Sequence, residues 1–144
     1  MNILFIIDTL NVGGKERRLL ELLKGFSQIS DIKCELIILS KKIEYKEINN
    51  LNISIHYLQR TIFKDICLIN KFIKICNKFK PDIVHCWDNI ASIQLAPICK
   101  LKKIKYINST ITSARKINKF SKRYFANAIS YPFSDIILSN SQMG

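Results

Sequence analysis

The chain has no apolar run long enough to form a membrane-spanning helix and no leader that resembles a secretion signal. Its longest uncharged stretch, Asn89–Cys99, is about half of the roughly 20 residues that a span requires. The first residues lack a basic leader and reach Asp8 after only a few apolar positions, unlike a signal peptide. These absences predict a location in the cytoplasm.

Histidine is scarce, and the cysteines have no pairing pattern. The two histidines, His56 and His85, are too few and too far apart for a zinc site. The five cysteines are odd in number and contain no C-x-x-C pair. Each has apolar neighbours: Cys34, Cys67, Cys76, Cys86 and Cys99. We therefore expect buried free thiols, and we expect neither disulfides nor a protein-bound metal.

Acidic residues are few as well, with 11 Asp and Glu against 23 Lys and Arg and a formal net charge of +12. Residues 89–134 contain no acidic side chain and nine basic ones: Lys100, Lys102, Lys103, Lys105, Arg115, Lys116, Lys119, Lys122 and Arg123. Such a one-sided field attracts phosphates, nucleic acid or an anionic membrane surface. A solvated, lysine-rich face gives the same pattern, so composition alone leaves both interpretations open.

The sequence does contain a regular alternation of apolar strands and amphipathic helices. The predicted strands are Ile3–Ile7, Cys34–Leu39, Ile53–Leu58, Ile83–Trp87, a strand beginning with Ile104–Ile107, and Asp135–Ser139. The predicted helices are one after Gly14 whose apolar stripe ends at Phe26, then Asp65–Phe79, Ala91–Leu101 and Ile117–Tyr131. Strands joined by helices imply right-handed crossovers. We predict one Rossmann-like α/β domain over residues 1–144, with a doubly wound, mostly parallel sheet.

Local features refine this prediction. Pro81 ends the second helix, and Pro97 predicts either a kink in the third helix or a late start. In the fourth helix one face carries Phe120, Tyr124, Ala128 and Tyr131. The last strand is followed at once by Asn140–Gly144 with no closing helix, so we expect a domain of a longer protein.

In such a sheet ligands bind outside the carboxyl ends of the strands, which directs attention to the glycine turn. Gly13 and Gly14 would allow a close backbone approach and direct free N–H groups at an anion. The turn is neither G-x-G-x-x-G nor a P-loop, and no acidic residue follows the second strand to hold a ribose. A phosphate contact and a simple turn are both open interpretations.

The other candidates follow the fourth and fifth strands. His85 precedes the end of its strand and is either a site residue or a hydrogen-bonded core histidine. Asp88 is the better functional candidate, although it could simply cap the next helix. Ser109 could bind a sugar hydroxyl or only local backbone. Arg115 suits bidentate contact with phosphate or carboxylate, or is a solvated loop residue.

Three motifs in register resemble those of a known family. They are Gly13–Glu16, like a GG-x-E turn, Pro81–His85, like a P-D-[IV]-[IV]-H strand, and Ser134–Ser141, like an [AS]-D-x-[IV]-[IV]-x-x-S strand. Together they resemble the N-terminal domain of family 4 glycosyltransferases. That family has the GT-B arrangement of two facing Rossmann-like domains.

The resemblance implies a retaining transfer of a sugar from a nucleotide-sugar donor to a glycan or lipid-linked acceptor. The nucleotide sugar is then a co-substrate, with no cofactor and no protein-bound metal. Gly13 and Gly14 would lie near the donor diphosphate. The acceptor side would be lined by Glu16, His85, Asp88, Ser109 and Arg115.

The resemblance also has gaps. Many members carry a histidine after the fifth strand, where this chain has Asn108, Ser109 and Thr110, so no catalytic residue is carried over. Most donor contacts of the family belong to a C-terminal domain that is absent from these 144 residues. We therefore expect the isolated chain to be inactive.

Family members often work at the cytoplasmic face of a membrane, which suggests a role for the basic block. Lys116, Lys119, Lys122 and Arg123 could contact anionic lipid beside neighbouring aromatic residues, or these lysines are merely solvated. The alternative function is a non-catalytic basic domain that binds an anionic membrane or nucleic acid. It ranks second because no nucleic-acid motif is present, and we expect no nucleic-acid partner. A nucleotide-dependent oxidoreductase ranks third.

Overall fold

The computed structural model describes residues 1–40, 44–60, 65–109 and 122–138. Within these residues the strands are β1 (Asn2–Ile7), β2 (Lys33–Ile38), β3 (Ser54–Tyr57), β4 (Ile83–Cys86), β5 (Lys105–Ser109) and β6 (Ile136–Leu138). The α-helices are α1 (Gly14–Ser27), α2 (Ile66–Phe79), α3 (Asn89–Leu101) and α4 (Lys122–Ser130). Short 3-10 helices span Lys46–Asn50 and Tyr131–Phe133.

The six strands form one sheet in the order β3-β2-β1-β4-β5-β6, and every neighbouring pair is parallel. This order confirms the predicted doubly wound, Rossmann-like fold. The order reverses between β1 and β4, where Phe5 is aligned with His85. The reversal matters because the chain leaves these two strands toward opposite faces of the sheet.

Side chains of β1 alternate between two hydrophobic cores, one on each face of the sheet. Phe5 and Ile7 pack with α1, whereas Leu4 and Ile6 pack with α2 and α3. The α1 stripe of Leu19, Leu20 and Leu23 covers the first face. The second face is covered by Leu68, Phe72, Cys76, Leu95, Ala96 and Cys99. Because both faces are covered, β1 is a continuous apolar run rather than an alternating one.

The predicted helix ends are mostly confirmed. Asp65 caps α2 by accepting the Leu68 N–H at 3.0 Å, and the helix stops at Lys80, whose φ of 51° is left-handed. The late start predicted as one alternative for α3 is wrong. That helix begins at Asn89 because Asp88 caps it, and it contains Pro97.

One cysteine departs from the expectation of buried thiols. Cys34, Cys76, Cys86 and Cys99 are buried and free, but Cys67 is exposed. The buried stripe of α2 runs through Leu68, Phe72 and Cys76. Cys67 therefore lies beside the stripe, on the solvent side of the first turn.

The face predicted for the fourth helix is the exposed one where the structure describes it. Tyr124 and Ala128 are exposed, and the buried residues of α4 are Ala126, Asn127 and Ser130. The predicted residues before Lys122 lie outside the described part. Since α4 packs against α3, small side chains allow the two helices to approach closely, which hydropathy alone does not reveal.

The end of the described chain is unusually apolar on its surface. All three residues of β6 are exposed. The large exposed apolar side chains here are Tyr124, Phe125, Ile129, Phe133, Ile136, Ile137 and Leu138. We call these seven residues the α4–β6 surface. A search of the described helices finds none that is long and apolar enough to cross a bilayer.

Candidate functional site

A crevice between β1 and β4 is the expected ligand site of this topology. The chain leaves β1 through the loop from Asp8 to Gly13 and enters α1 on one face. It leaves β4 through Trp87 and Asp88 and enters α3 on the other face. Two of the predicted groups of site residues therefore meet at this one edge of the sheet.

The two glycines of the turn have different environments. Gly13 is the N-cap of α1 and has an extended backbone, with φ −171° and ψ 160°. A Cβ at Gly13 would overlap the Oε2 atom of Glu16, whereas a Cβ at Gly14 would meet nothing within 4 Å. A side chain at Gly13 would therefore force the Glu16 carboxylate to move. At Gly14 the space is open, so a ligand could approach the helix N-terminus there.

Charged side chains already occupy part of this turn. Lys15 forms an ion pair with Asp8 and lies 3.7 Å from Glu16 Oε1. Glu16 is buried, and Thr9 Oγ1 donates to its Oε1 at 3.5 Å. The cluster of Asp8, Glu16 and Lys15 contains two carboxylates and one ammonium group, so it has no excess of positive charge. Attraction for a phosphate would therefore come from the backbone N–H groups of α1.

His85 is buried between aromatic rings. Its ring centroid lies 5.4 Å from that of Phe5 and 5.1 Å from that of Trp87, and its Nε2 is 2.5 Å from Ser109 Oγ. Burial lowers the pKa of His85 from 6.5 to about 4, so the imidazole is neutral at pH 7. The structure thus joins two predicted site residues, His85 and Ser109, through one hydrogen bond.

Asp88 makes two contacts through a single oxygen. Its Oδ1 accepts the Ala91 N–H at 2.5 Å, which caps α3, and it also accepts from Arg60 Nη1 at 2.6 Å. The pair is largely shielded from solvent, with side-chain exposures of 20% for Arg60 and 9% for Asp88. Asp88 is therefore both a helix cap and one half of an ion pair at the crevice.

Arg60 was missing from the predicted site. Its backbone N–H donates to the Leu39 carbonyl at 3.2 Å, which places it just beyond the carboxyl end of β3. Arg60 follows the predicted strand Ile53–Leu58 by two residues. Ligand sites lie at the carboxyl ends of the strands in such a sheet. Applying that rule to the strand Ile53–Leu58 as well would have included Arg60 in the predicted site.

A buried hydrogen-bond network supports the backbone of Asp88. Tyr106 donates its hydroxyl to Ser92 Oγ at 2.9 Å, and Ser92 Oγ donates to the Asp88 carbonyl at 2.9 Å. Cys86 Sγ lies 3.4 Å from the same carbonyl. Burial raises the pKa of Tyr106 well above its ordinary value, so the hydroxyl stays protonated and available as a donor.

The described residues of the basic block lie in two groups in the fold, one around the α3–β5 connection and one at the start of α4. Lys100, Lys102, Lys103 and Lys105 lie at the end of α3 and the start of β5, which is the amino edge of the sheet, opposite the crevice. Arg115, Lys116 and Lys119 fall outside the described residues. Lys122 and Arg123 begin α4. No group of three or more potential metal ligands occurs in the ranges that the structure describes.

The class of protein follows from fold and sequence together. The chain has a Rossmann-like α/β fold, and the family model described as "Glycosyl transferase 4-like" matches residues 17–141. The chain belongs to this glycosyl transferase 4-like family, which confirms the predicted resemblance. The matched range begins after the glycine turn, so Gly13, Gly14 and Glu16 lie outside it. No curated protein sequence matches the chain.

Several solved structures share the fold. HepE from Anabaena, in complex with UDP-glucose, has a TM-score of 0.77 at 15% identity, covering 99% of this chain and 38% of that one. The lipopolysaccharide outer core galactosyltransferase WaaB, in its apo form, has a TM-score of 0.69 at 19% identity, covering 99% and 40%. UDP-GlcNAc 2-epimerase from Methanocaldococcus jannaschii has a TM-score of 0.70 at 15% identity, covering 99% and 40%. The chain therefore spans about two fifths of the length of these proteins.

Proposed function

We propose that the chain is the acceptor-side domain of a retaining glycosyltransferase that uses a nucleotide sugar as donor. The family match over residues 17–141 carries this proposal. The glycine turn and the exit of β4 at the sheet's reversal point support it, because nucleotides and their substrates bind there in such sheets. HepE bound to UDP-glucose adds a structural parallel for the donor.

In the proposed site the donor diphosphate approaches α1 through the open space at Gly14. The N–H groups of the first turn then donate to phosphate oxygens. Gly13 serves a different purpose, since it leaves room for the buried Glu16 carboxylate. The acceptor lies toward the exit of β4, where Asp88 and its partner Arg60 are held by the capped end of α3.

The remaining donor contacts come from a second domain in this proposal. The solved structures are about two and a half times as long as this chain, which is consistent with such a domain. We therefore expect no transferase turnover from the 144-residue chain alone.

The acceptor is proposed to be a glycan or a lipid-linked sugar at the cytoplasmic membrane face. Lys116, Lys119, Lys122 and Arg123 would then contact anionic lipid.

The test is a transfer assay on the longest polypeptide that contains this chain, with UDP- and GDP-sugars and saccharide acceptors. We expect a glycoside with the anomeric configuration of the donor, identified by nuclear magnetic resonance. Gly14→Leu should reduce transfer at least tenfold because its side chain fills the phosphate approach. Leu101→Lys is a matched surface control far from the crevice. An inverted product would contradict the retaining mechanism, and robust transfer by the 144-residue chain would contradict the need for a second domain.

A nucleotide-sugar epimerase is the second candidate, because three UDP-GlcNAc 2-epimerases share the fold with TM-scores of 0.68 to 0.71. The same assay separates the two functions. An epimerase converts UDP-GlcNAc without any acceptor, whereas a transferase forms a new glycoside only when an acceptor is added. The family match favours the transferase.

A further inference from the structure

Trp87 carries a polar atom that the fold leaves unused. Its backbone N–H donates to the Ile6 carbonyl at 2.8 Å, which holds it against β1 directly after β4 ends. The residue is 8% exposed, and its buried indole Nε1 makes no hydrogen bond to the described protein. A buried donor without a partner is costly. An acceptor on a bound molecule would satisfy this donor.

The position of Trp87 indicates where such an acceptor would bind. Its ring packs with His85 on the face covered by α1. The next residue, Asp88, caps α3 on the opposite face. The two neighbours thus lie on either side of the point where the strand order reverses, at the edge of the sheet that binds ligands in this topology.

Asp88 contributes a hydrogen-bond acceptor beside this donor. Both of its side-chain hydrogen bonds, to Ala91 and to Arg60, involve Oδ1. The other oxygen, Oδ2, makes no hydrogen bond to the described protein. Its backbone is fixed through Ser92, so the free oxygen is held on a rigid support. Trp87 and Asp88 therefore offer one donor and one acceptor on consecutive residues.

This combination suits a sugar ring better than a phosphate. Each sugar hydroxyl can both donate and accept, and its ring carbons pack on aromatic side chains. A phosphate dianion only accepts, so it could accept from the indole N–H but has no hydrogen to donate to Asp88 Oδ2. Trp87 and Asp88 thus favour a ligand whose groups can both accept and donate a hydrogen bond.

We propose that Trp87 and Asp88 bind one neutral sugar ring of the acceptor, with Nε1–H donating to one hydroxyl and Oδ2 accepting from another. The inference rests on the proposed glycosyltransferase function and names the chemistry of its acceptor. Because Nε1 has almost no accessible surface in this structure, binding must include a small movement of the indole or of a side chain that covers it.

The chain itself provides the probe, because Trp87 is its only tryptophan. A 1H–15N correlation spectrum of the labelled chain therefore contains one indole cross-peak. We would titrate the chain with the methyl glycosides of glucose, galactose and N-acetylglucosamine, and with glucose 1-phosphate as an anionic counterpart. Saturation-transfer experiments on the same samples report saccharide binding anywhere on the chain. We expect at least one neutral glycoside to move the indole cross-peak in a saturable way.

The other outcomes contradict the inference in different ways. Saccharide binding that leaves the indole cross-peak unmoved would overturn the role of Trp87 while leaving the proposed function intact. If only glucose 1-phosphate shifts the indole cross-peak, the inference that the ligand is a neutral sugar is wrong. Failure of all four sugars to bind would overturn the inference, and a transfer assay on the longer polypeptide would then decide the proposed function separately.

Two variants test the individual hydrogen bonds. Trp87→Phe keeps an aromatic ring without the donor and should weaken glycoside binding about fivefold, as expected for one neutral hydrogen bond. Asp88→Asn keeps a capping oxygen and should weaken it about tenfold, because a charged acceptor is lost. Asp65→Asn makes the same change at the cap of α2 and should leave affinity unchanged. Thermal melts verify folding, and unchanged affinity in folded Trp87→Phe and Asp88→Asn would overturn the proposal.

Discussion

Arg60 and Asp88 are joined by a 2.6 Å ion pair that links the end of β3, at one side of the sheet, to the capped start of α3. The strands β2 and β1 lie between β3 and β4 in the sheet order. The pair therefore spans the carboxyl edge across two strands. Because Asp88 Oδ1 also caps α3, the position of Arg60 is coupled to the helix that forms one side of the crevice.

This coupling predicts a large effect at Asp88. Asp88→Ala should lower the free energy of unfolding by about 2–3 kcal/mol, since it removes a helix cap and leaves a partly buried guanidinium unpaired. Asp88→Asn, which can still cap, should cost about 1 kcal/mol. Urea denaturation of Arg60→Ala, Asp88→Asn and the double variant gives the coupling energy, which we expect to be about 1 kcal/mol. Additive single effects would show that the pair contributes nothing.

The two glycines of the turn should respond differently to the same substitution. Gly13→Ala places a methyl group where Glu16 Oε2 lies, so the carboxylate must shift from its buried position, and the change should cost about 1 kcal/mol of stability. Gly14→Ala meets open space in the first turn of α1 and should change stability by less than about 0.5 kcal/mol. Thermal or urea denaturation measures both.

The control for this pair removes the obstacle instead of the glycine. Glu16→Ala is measured alone and combined with Gly13→Ala. If the overlap is the cause, the double variant should be scarcely less stable than Glu16→Ala. An equal penalty for Gly13→Ala in both backgrounds would show that a backbone requirement, and not Glu16, explains this glycine.

The fold was predictable because its signals are local. The apolar strand Ile3–Ile7 and the helix predicted from Asp65 are each contained in a few residues, and parallel strands joined by helices allow few topologies. The pairing of Arg60 with Asp88 depends instead on two chain segments 28 residues apart. Likewise, the burial of Ala126 rather than Tyr124 is decided by how α4 packs on α3. Hydrophobic periodicity shows which residues share a helix face, but it does not show which element packs against that face.

Because His85 is buried in its neutral form, we expect the folded chain to lose stability in mild acid. Its pKa is about 4 in the fold and 6.5 in an ordinary environment, so between these values the unfolded chain binds a proton that the folded chain does not. Stability therefore falls as the pH drops through this window. His85 alone should contribute a loss of about 2 kcal/mol between pH 7.5 and pH 5, measured by urea denaturation.

His85→Gln tests the origin of that pH dependence. Glutamine can still bond Ser109 but does not titrate. The free energy of unfolding should therefore depend less steeply on pH than in the unchanged chain, by the amount that one proton contributes. Ser109→Ala, which leaves the imidazole buried, should retain most of the slope. A slope that is the same in His85→Gln as in the unchanged chain would assign the titration to another group.

The cysteines should differ in reactivity. Cys67 is exposed, whereas burial raises the pKa of Cys76 to about 12 and that of Cys86 to about 11. Since the thiolate is the reactive form, a disulfide reagent at pH 8 should label one thiol quickly in the folded chain and all five in urea. Cys67→Ser should abolish the fast phase. Fast labelling of two or more thiols would indicate local opening of α2 or α3.

The α4–β6 surface predicts self-association. It places Ile136, Ile137 and Leu138 on an edge strand with all three side chains exposed. Edge strands and exposed apolar side chains promote contact between copies. We expect the weight-average mass of the 144-residue chain in sedimentation experiments to rise with concentration, and Ile137→Lys to suppress that rise, since a charge on an edge strand opposes pairing.

A matched control separates this surface from general hydrophobicity. Leu101 is more exposed than any residue of β6, at 85%, and it lies at the end of α3. Leu101→Lys adds the same charge and removes a similar apolar area, so both variants raise the net charge equally. If association depends on the α4–β6 surface, Leu101→Lys should associate like the unchanged chain. Equal suppression by both lysines would instead attribute the effect to net charge.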